Sequence, residues 1–152
     1  MGDMFMRVAI GSDHAGYVLK EELRIDLEKW GYEVIDVGCK TASSCDYPDF
    51  AHAVADLVMQ HEVDRGILIC GTGIGISIAA NRHAGIRAAL CHNCDSAYLC
   101  RVHNDANVIA FGARYTTFVD ARAMLKIFLG THFSDEERHV QRISKIEYPK
   151  ET

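Results

Sequence analysis

The chain repeats one local unit: a short apolar run, a polar or glycine-rich turn, then a helical pattern. The apolar runs are Arg7–Ile10, Glu33–Val37, Gly66–Cys70, Ile86–Leu90 and Asn107–Phe111. They are rich in Val, Ile and Ala and mostly lack period-two alternation, as expected of strands buried on both faces. Leu19, Leu23, Leu27 and Trp30 make one apolar helical face that Gly31 ends, and Phe50, Val54, Leu57 and Val58 form a second stripe after Asp46-Tyr47-Pro48. Ser134-Asp135-Glu136-Glu137 has the form of a capping box, so a last helix is expected over about 134–147. Strand alternating with helix predicts an α/β fold: a Rossmann-like three-layer αβα sandwich on a five-stranded parallel sheet. With 152 residues and no visible linker, residues 1–152 read as a single domain.

Such a sheet gathers ligands outside the carboxyl ends of its strands. Ser12-Asp13-His14 follows the first run, Cys70-Gly71-Thr72-Gly73-Ile74-Gly75 the third, His92-Asn93 the fourth and Gly112-Ala113-Arg114 the fifth. Residues distant in sequence are therefore expected on one rim. The alternating glycines allow backbone N–H groups to converge, and the helix that follows adds its positive end, which together make an anion cradle. The spacing matches neither the dinucleotide fingerprint nor the P-loop, because Ile76 occupies the third glycine's place and no lysine follows. A plain tight turn is the other reading. Cys70, at the tip of its strand, suits a base or nucleophile, and equally a small core residue. Asp13-His14 and His103-Asn104-Asp105 supply groups able to move protons. Arg138 and Arg142 share one helix face, and with Arg114 they could clamp a phosphate; a solvated charged face is the alternative.

Bulk properties narrow the classes. The net charge of −5 disfavours a general nucleic-acid binder. No apolar run approaches the roughly 20 residues of a membrane span, and the N-terminus lacks the pattern of a secretory signal, so a cytoplasmic location is expected and no membrane partner. In that setting the six cysteines are expected as reduced thiols. Cys91-His92-Asn93-Cys94 has zinc-compatible spacing, but a matching second ligand pair is missing, and no metal is expected.

Taken together, these segments closely resemble the ribose-5-phosphate isomerase B family, which also holds the galactose-6-phosphate isomerase subunits. The resemblance runs from about Arg7 to Ile146. Besides the segments above it includes Gly11-Ser12-Asp13-His14-Ala15-Gly16, Asp46-Tyr47-Pro48, Gly85-Ile86-Arg87-Ala88 and Arg138-His139-x-x-Arg142. It implies interconversion of D-ribose 5-phosphate and D-ribulose 5-phosphate in the pentose phosphate pathway, with no cofactor. It further implies Cys70 as the base that moves a proton between C2 and C1, and His103, assisted by Thr72, as the ring-opening group. Asp13 and His14 would contact the substrate and Tyr47 would border the pocket. The amides of Gly71, Gly73, Ile74 and Gly75, with Asn104, would stabilise the enediolate, while Arg114, Arg138 and Arg142 would hold the phosphate. Some relatives carry a glutamate base at the position of Ile76; isoleucine cannot accept a proton, which leaves Cys70. The family places its pocket between two subunits, so the resemblance implies a homodimer or dimer of dimers, with the C-terminal helix on a neighbouring subunit.

Two rival readings stay open. Hexose 6-phosphates could occupy the same site, which pocket length would decide. A non-catalytic phosphate sensor could use the glycine loop alone, but it leaves Cys70, His103 and the arginines without a joint purpose.

Overall fold

The computed structural model describes residues 6–149. A parallel sheet is built from β1 (Arg7–Ser12), β2 (Glu33–Gly38), β3 (Arg65–Cys70), β4 (Ala88–Leu90) and β5 (Val108–Gly112), in the spatial order β2-β1-β3-β5-β4. The helices are α1 (Tyr17–Lys29), α2 (Tyr47–Met59), α3 (Ile74–Asn81), α4 (Cys94–Val102), α5 (Phe118–Gly130) and α6 (Glu137–Ser144).

Alternation along the central strands explains the three layers. On β3, Ile67 and Ile69 pack with Leu19, Leu23 and Leu27 of α1, Ala97 of α4, and Met124, Leu125 and Phe128 of α5. Leu68 and Cys70 point to the other face, against Val54 and Val58 of α2 and Ile76 and Ala80 of α3. Each central strand thus buries both faces, which accounts for the continuous apolar runs. The edge strands β2 and β4 are only partly covered. Beside β4, the Asn81 side chain donates to Ala88 O at 2.9 Å and accepts from Ala88 N at 2.8 Å, occupying backbone groups that would otherwise pair with another strand.

The topology also fixes the ligand side. Chain connections leave β1 and β3 in opposite directions, so a crevice opens between their carboxyl ends.

Several boundaries differ from the sequence pattern. The last helix spans Glu137–Ser144, not 134–147, and Ser134 does not cap it; its Oγ accepts from Glu136 N at 3.3 Å in a local turn, followed by Asp135 at φ 58°. Asp135 in this left-handed conformation keeps the capping-box segment out of the helix. The fourth strand shortens to Ala88–Leu90, since Ile86 and Arg87 belong to the turn that leads in. Helices α4 and α5 carry start signals that the apolar periodicity alone did not single out. Asn93 and Ser96 form a reciprocal capping box, and the Thr117 side chain accepts from Asp120 N.

Candidate active site

A cleft of about 360 Å³ lies at the β1/β3 crevice, lined by Asp13, His14, Ala15, Tyr47, Cys70, Gly71, Thr72, Ile74, Gly75 and Arg114. Three separate carboxyl-end loops therefore meet in one place, as the strand alternation predicts.

Cys70 forms the floor. It ends β3, is 4% exposed, and its Sγ accepts a hydrogen bond from Gly73 N at 3.1 Å. Gly73 caps α3 at φ 77°, and an added Cβ would meet Leu90 Cδ1 at 2.4 Å and backbone atoms of Phe111 and Gly112 at 2.9 Å. Only glycine turns the chain there while directing its amide at the sulfur. Thr72 Oγ1 accepts from Ile74 N at 3.1 Å, which leaves the hydroxyl proton free to be donated. Two of the loop amides expected to cradle an anion, those of Gly73 and Ile74, thus already serve the sulfur and the Thr72 hydroxyl.

The walls come from β1, α2 and the loop after β5. Asp13 is buried; its carboxylate accepts from Gly16 N at 3.1 Å and caps the short turn His14–Gly16, while its own amide donates to Ile69 O. His14 is exposed, and its Nδ1 accepts from Cys45 N at 3.2 Å. That bond leaves the neutral ring's proton on Nε2, a donor for a ligand. The Tyr47 ring covers Gly75 so closely that an added Cβ would come within 2.5 Å of it. The Arg114 guanidinium lies over Gly71, with Cζ and Nε 3.2 Å from where a Cβ would stand, and Arg114 N donates to Gly71 O at 3.0 Å. Ile76 is fully buried in the α2/α3 layer, out of the cleft.

His103, Asn104, Arg138 and Arg142 lie elsewhere. Helix α4 runs back from the carboxyl ends of the strands to their amino ends, so the turn that follows it sits at the opposite rim. Gly66 at the start of β3 donates to Asn107 O there, and Arg87 Nε donates to both Asn104 O and Asp105 O. Arg101, buried beneath the turn, donates to Asp105 Oδ1 at 2.7 Å and to Ala106 O at 2.8 Å. His103, exposed at the C-cap of α4, stacks on His139 of α6, with ring centroids 4.5 Å apart. Arg138 Nε donates to His139 Nε2 at 3.1 Å and to Glu136 at 3.0 Å. Burial, then the positive charges of Arg138, His103 and Arg142, hold His139 below its ordinary value of 6.5, only partly opposed by Glu136. Within one chain, therefore, the residues expected to form the site fall into two clusters at opposite ends of the sheet.

The sequence pattern missed the His103–His139 pair; the signal was His139 flanked by arginines on a helix whose other residues are largely polar. His92 and Asn93, expected on the rim, do not line the cleft: Asn93 caps α4 at the sheet edge. Cys91 is buried beside Cys100 while Cys94 is exposed, so the CxxC sulfurs lie in different environments. Among the described residues, no three His, Cys, Asp or Glu side chains are grouped to hold a metal ion, and no helix is long and apolar enough to cross a membrane.

Comparison with known proteins agrees with this architecture. The Ribose/Galactose Isomerase family model matches residues 8–146. Ribose-5-phosphate isomerase B of Escherichia coli is 48% identical over 140 residues, covering 92% of this chain and 93% of that protein. A putative sugar phosphate isomerase of Bacillus subtilis is 50% identical, covering 93% and 95%. Among solved structures, ribose-5-phosphate isomerase B of Clostridium thermocellum superposes with a TM-score of 0.91 at 50% identity, over 93% of this chain and 95% of that one. The type B enzyme of Trypanosoma cruzi gives 0.90 at 46% identity, over 93% and 94%. The chain belongs to the ribose/galactose isomerase family.

Proposed function

We propose that this protein is a ribose-5-phosphate isomerase of type B, interconverting D-ribose 5-phosphate and D-ribulose 5-phosphate in the cytoplasmic pentose phosphate pathway without metal or organic cofactor. The observation that carries the reading is the cleft itself: a nearly buried thiol, an amide loop, an imidazole and a guanidinium around one space of sugar-phosphate size. The relatives' names support the substrate class.

The chemistry follows from the placement. Cys70, as thiolate, takes the C2 proton of the open-chain aldose and returns it to C1, while the O2 hydroxyl gives up its proton and O1 gains one. Negative charge gathers on O1 and O2 in between, where N–H donors do most to lower the barrier. The amides of Gly71, Thr72 and Gly75 are the ones left for those oxygens, since the Gly73 and Ile74 amides are committed within the loop. Thr72 donates its hydroxyl proton during ring opening, and Asp13 and His14 orient the sugar hydroxyls. Arg114 takes a phosphate oxygen, and binding at that remote group is spent on positioning the reacting carbons.

One chain holds half of the machinery. A second copy, placing its His103, Asn104, Arg138 and Arg142 over this cleft, supplies the ring-opening imidazole and two further guanidiniums. Exposed apolar side chains support a partner surface beside the cleft: Ile74 and Ile78 of α3 are 53% and 59% exposed. A homodimer, or a dimer of such dimers, then carries its sites at the subunit interface by two-fold symmetry.

The test is a coupled assay of ribulose 5-phosphate formation, with and without chelator, beside the same assay on hexose 6-phosphates. Turnover of ribose 5-phosphate that survives the chelator is expected. Turnover of hexose 6-phosphates with none of the pentose overturns the substrate assignment.

A further inference from the structure

Two cysteines that the isomerase chemistry does not use stand beside the cleft. Cys39 and Cys45 bracket the loop between β2 and α2, a stretch with neither helix nor strand over residues 39–46. Both thiols donate to carbonyls of this loop: Cys39 Sγ to Thr41 O at 2.6 Å and Cys45 Sγ to Ser43 O at 3.0 Å, with Cys39 Sγ 4.0 Å from that same Ser43 oxygen. Their surroundings differ. Cys39 is 3% exposed and tied to β1 by its amide, which donates to Ser12 O at 2.7 Å; Cys45 is half-buried. The Cys45 thiol is pushed up to about 11, first by its hydrogen bond with Cys39, then by burial and the charges of Cys39, Asp13 and Asp46. The two thiols are within hydrogen-bonding reach of each other, and neither is in a disulfide.

We propose that Cys39 and Cys45 are an oxidative modification site, in which a peroxide converts the pair to an intraloop disulfide next to His14. One sulfur, as thiolate, attacks the peroxide; an S–O bond forms as the O–O bond breaks, and the departing oxygen leaves as water after taking a proton. The second sulfur, as thiolate, then attacks the resulting sulfenic acid, forming the S–S bond and expelling hydroxide, which leaves as a second water. The two thiols together lose two electrons and two protons, and one hydrogen peroxide becomes two waters.

The structural consequence is directional. A disulfide holds its sulfurs about 2.05 Å apart, so the pair must draw together. Cys39 is buried and tied to β1, while Cys45 sits on the less constrained side of the loop, so Cys45 is the residue that moves. Its amide is the donor to His14 Nδ1. Oxidation therefore releases the ring that the cleft uses to orient a ligand. The other adjacent pair, Cys91 with Cys100, lies in the core under α4 and lacks this access.

The effect on turnover rests on the isomerase reading, whereas formation of the bond does not. The full-length protein is treated with hydrogen peroxide, alkylated, digested and weighed as peptides, and its turnover is followed before and after dithiothreitol. The expected result is a Cys39–Cys45 linked species, with a roughly tenfold loss of turnover that dithiothreitol reverses, because small displacements of a positioning group cost this much or more. In Cys45→Ser the reversible part disappears, leaving only slow loss through Cys70. Free Cys39 and Cys45 after oxidation of Cys70, or the same reversible loss in Cys45→Ser, overturns the proposal. If the reduced protein turns over no sugar phosphate, the isomerase reading fails and the linked peptide still decides this one.

Discussion

His103 and His139 stack with ring centroids 4.5 Å apart and planes 25° from parallel, at the rim of the sheet opposite the Cys70 cleft. The two rims are separated by the six-residue length of β3, about 20 Å at 3.3 Å per residue. No side chain bridges such a gap, so the ring-opening role assigned to His103 requires a second copy. The stack also ties α6 to the end of α4, so that Arg138 and Arg142 are presented together with the imidazole.

Acid should loosen that unit. The pKa of His139 is lowered on folding, by burial first, so the unfolded chain binds its proton more tightly. The stability it contributes is present above its ordinary value of 6.5 and is lost as pH falls below it, toward the folded value. Hydrogen-exchange protection factors over residues 137–144, corrected for the intrinsic pH dependence of amide exchange, should fall on acidification in the wild type, and less so in His139→Phe. An equal fall in protection in both proteins would assign the acid sensitivity to other groups.

The glycine loop separates folding from catalysis. Gly73→Ala forces a side chain onto φ 77° and against Leu90 and the β5 backbone, a loss of about 2 kcal/mol or more. In Gly75→Ala the nearest atoms to the new Cβ all belong to the Tyr47 side chain, which is 39% exposed and can swing away. The expected outcome is a large fall in denaturation midpoint for Gly73→Ala, and for Gly75→Ala a nearly unchanged midpoint with reduced turnover. Equal midpoints for the two variants would contradict this division.

Arg114→Ala should weaken binding of the phosphate end. Losing a charge-assisted contact of about 1.5–3 kcal/mol corresponds to a roughly 10- to 100-fold rise in KM and in the inhibition constant of inorganic phosphate. Because Arg114 also covers Gly71, Arg114→Lys is expected to recover only part of this loss. An unchanged phosphate inhibition constant would remove Arg114 from the clamp.

Cys70→Ser should lower kcat by about 10²–10⁴ with a much smaller change in KM, the signature of a lost base. Iodoacetamide should inactivate the wild type in step with alkylation of Cys70, and substrate should slow both. Full activity in Cys70→Ala would refute the base assignment.

What the sequence made legible follows the physics of repetition. Strand β3 reads as apolar from Gly66 to Cys70 because both of its faces are covered there, and the clusters after β1, β3 and β5 converge because a parallel sheet puts all such ends on one side. That Cys70, Thr72, Asp13, His14, Tyr47 and Arg114 line one cleft was legible from that rule and the family resemblance. The location of His103 was not: it depends on α4 reversing the chain direction, and neither the end of that helix nor the order β5-β4 is encoded in local periodicity. The start of α6 was misplaced for a local reason, since Ser134 satisfies Glu136 N in a turn with Asp135 left-handed. The internal use of the Gly73 and Ile74 amides depends on distances that only the folded loop shows.

The most direct test of a site shared between two copies is complementation. Cys70→Ala and His103→Ala are each prepared as inactive proteins, then mixed and allowed to exchange subunits. In a mixed dimer one cleft lacks both groups and the other has both, so random exchange should restore about a quarter of wild-type turnover. Recovery toward that level, absent without exchange, is the predicted result. Mixed dimers shown to form and yet to remain inactive would contradict the shared site.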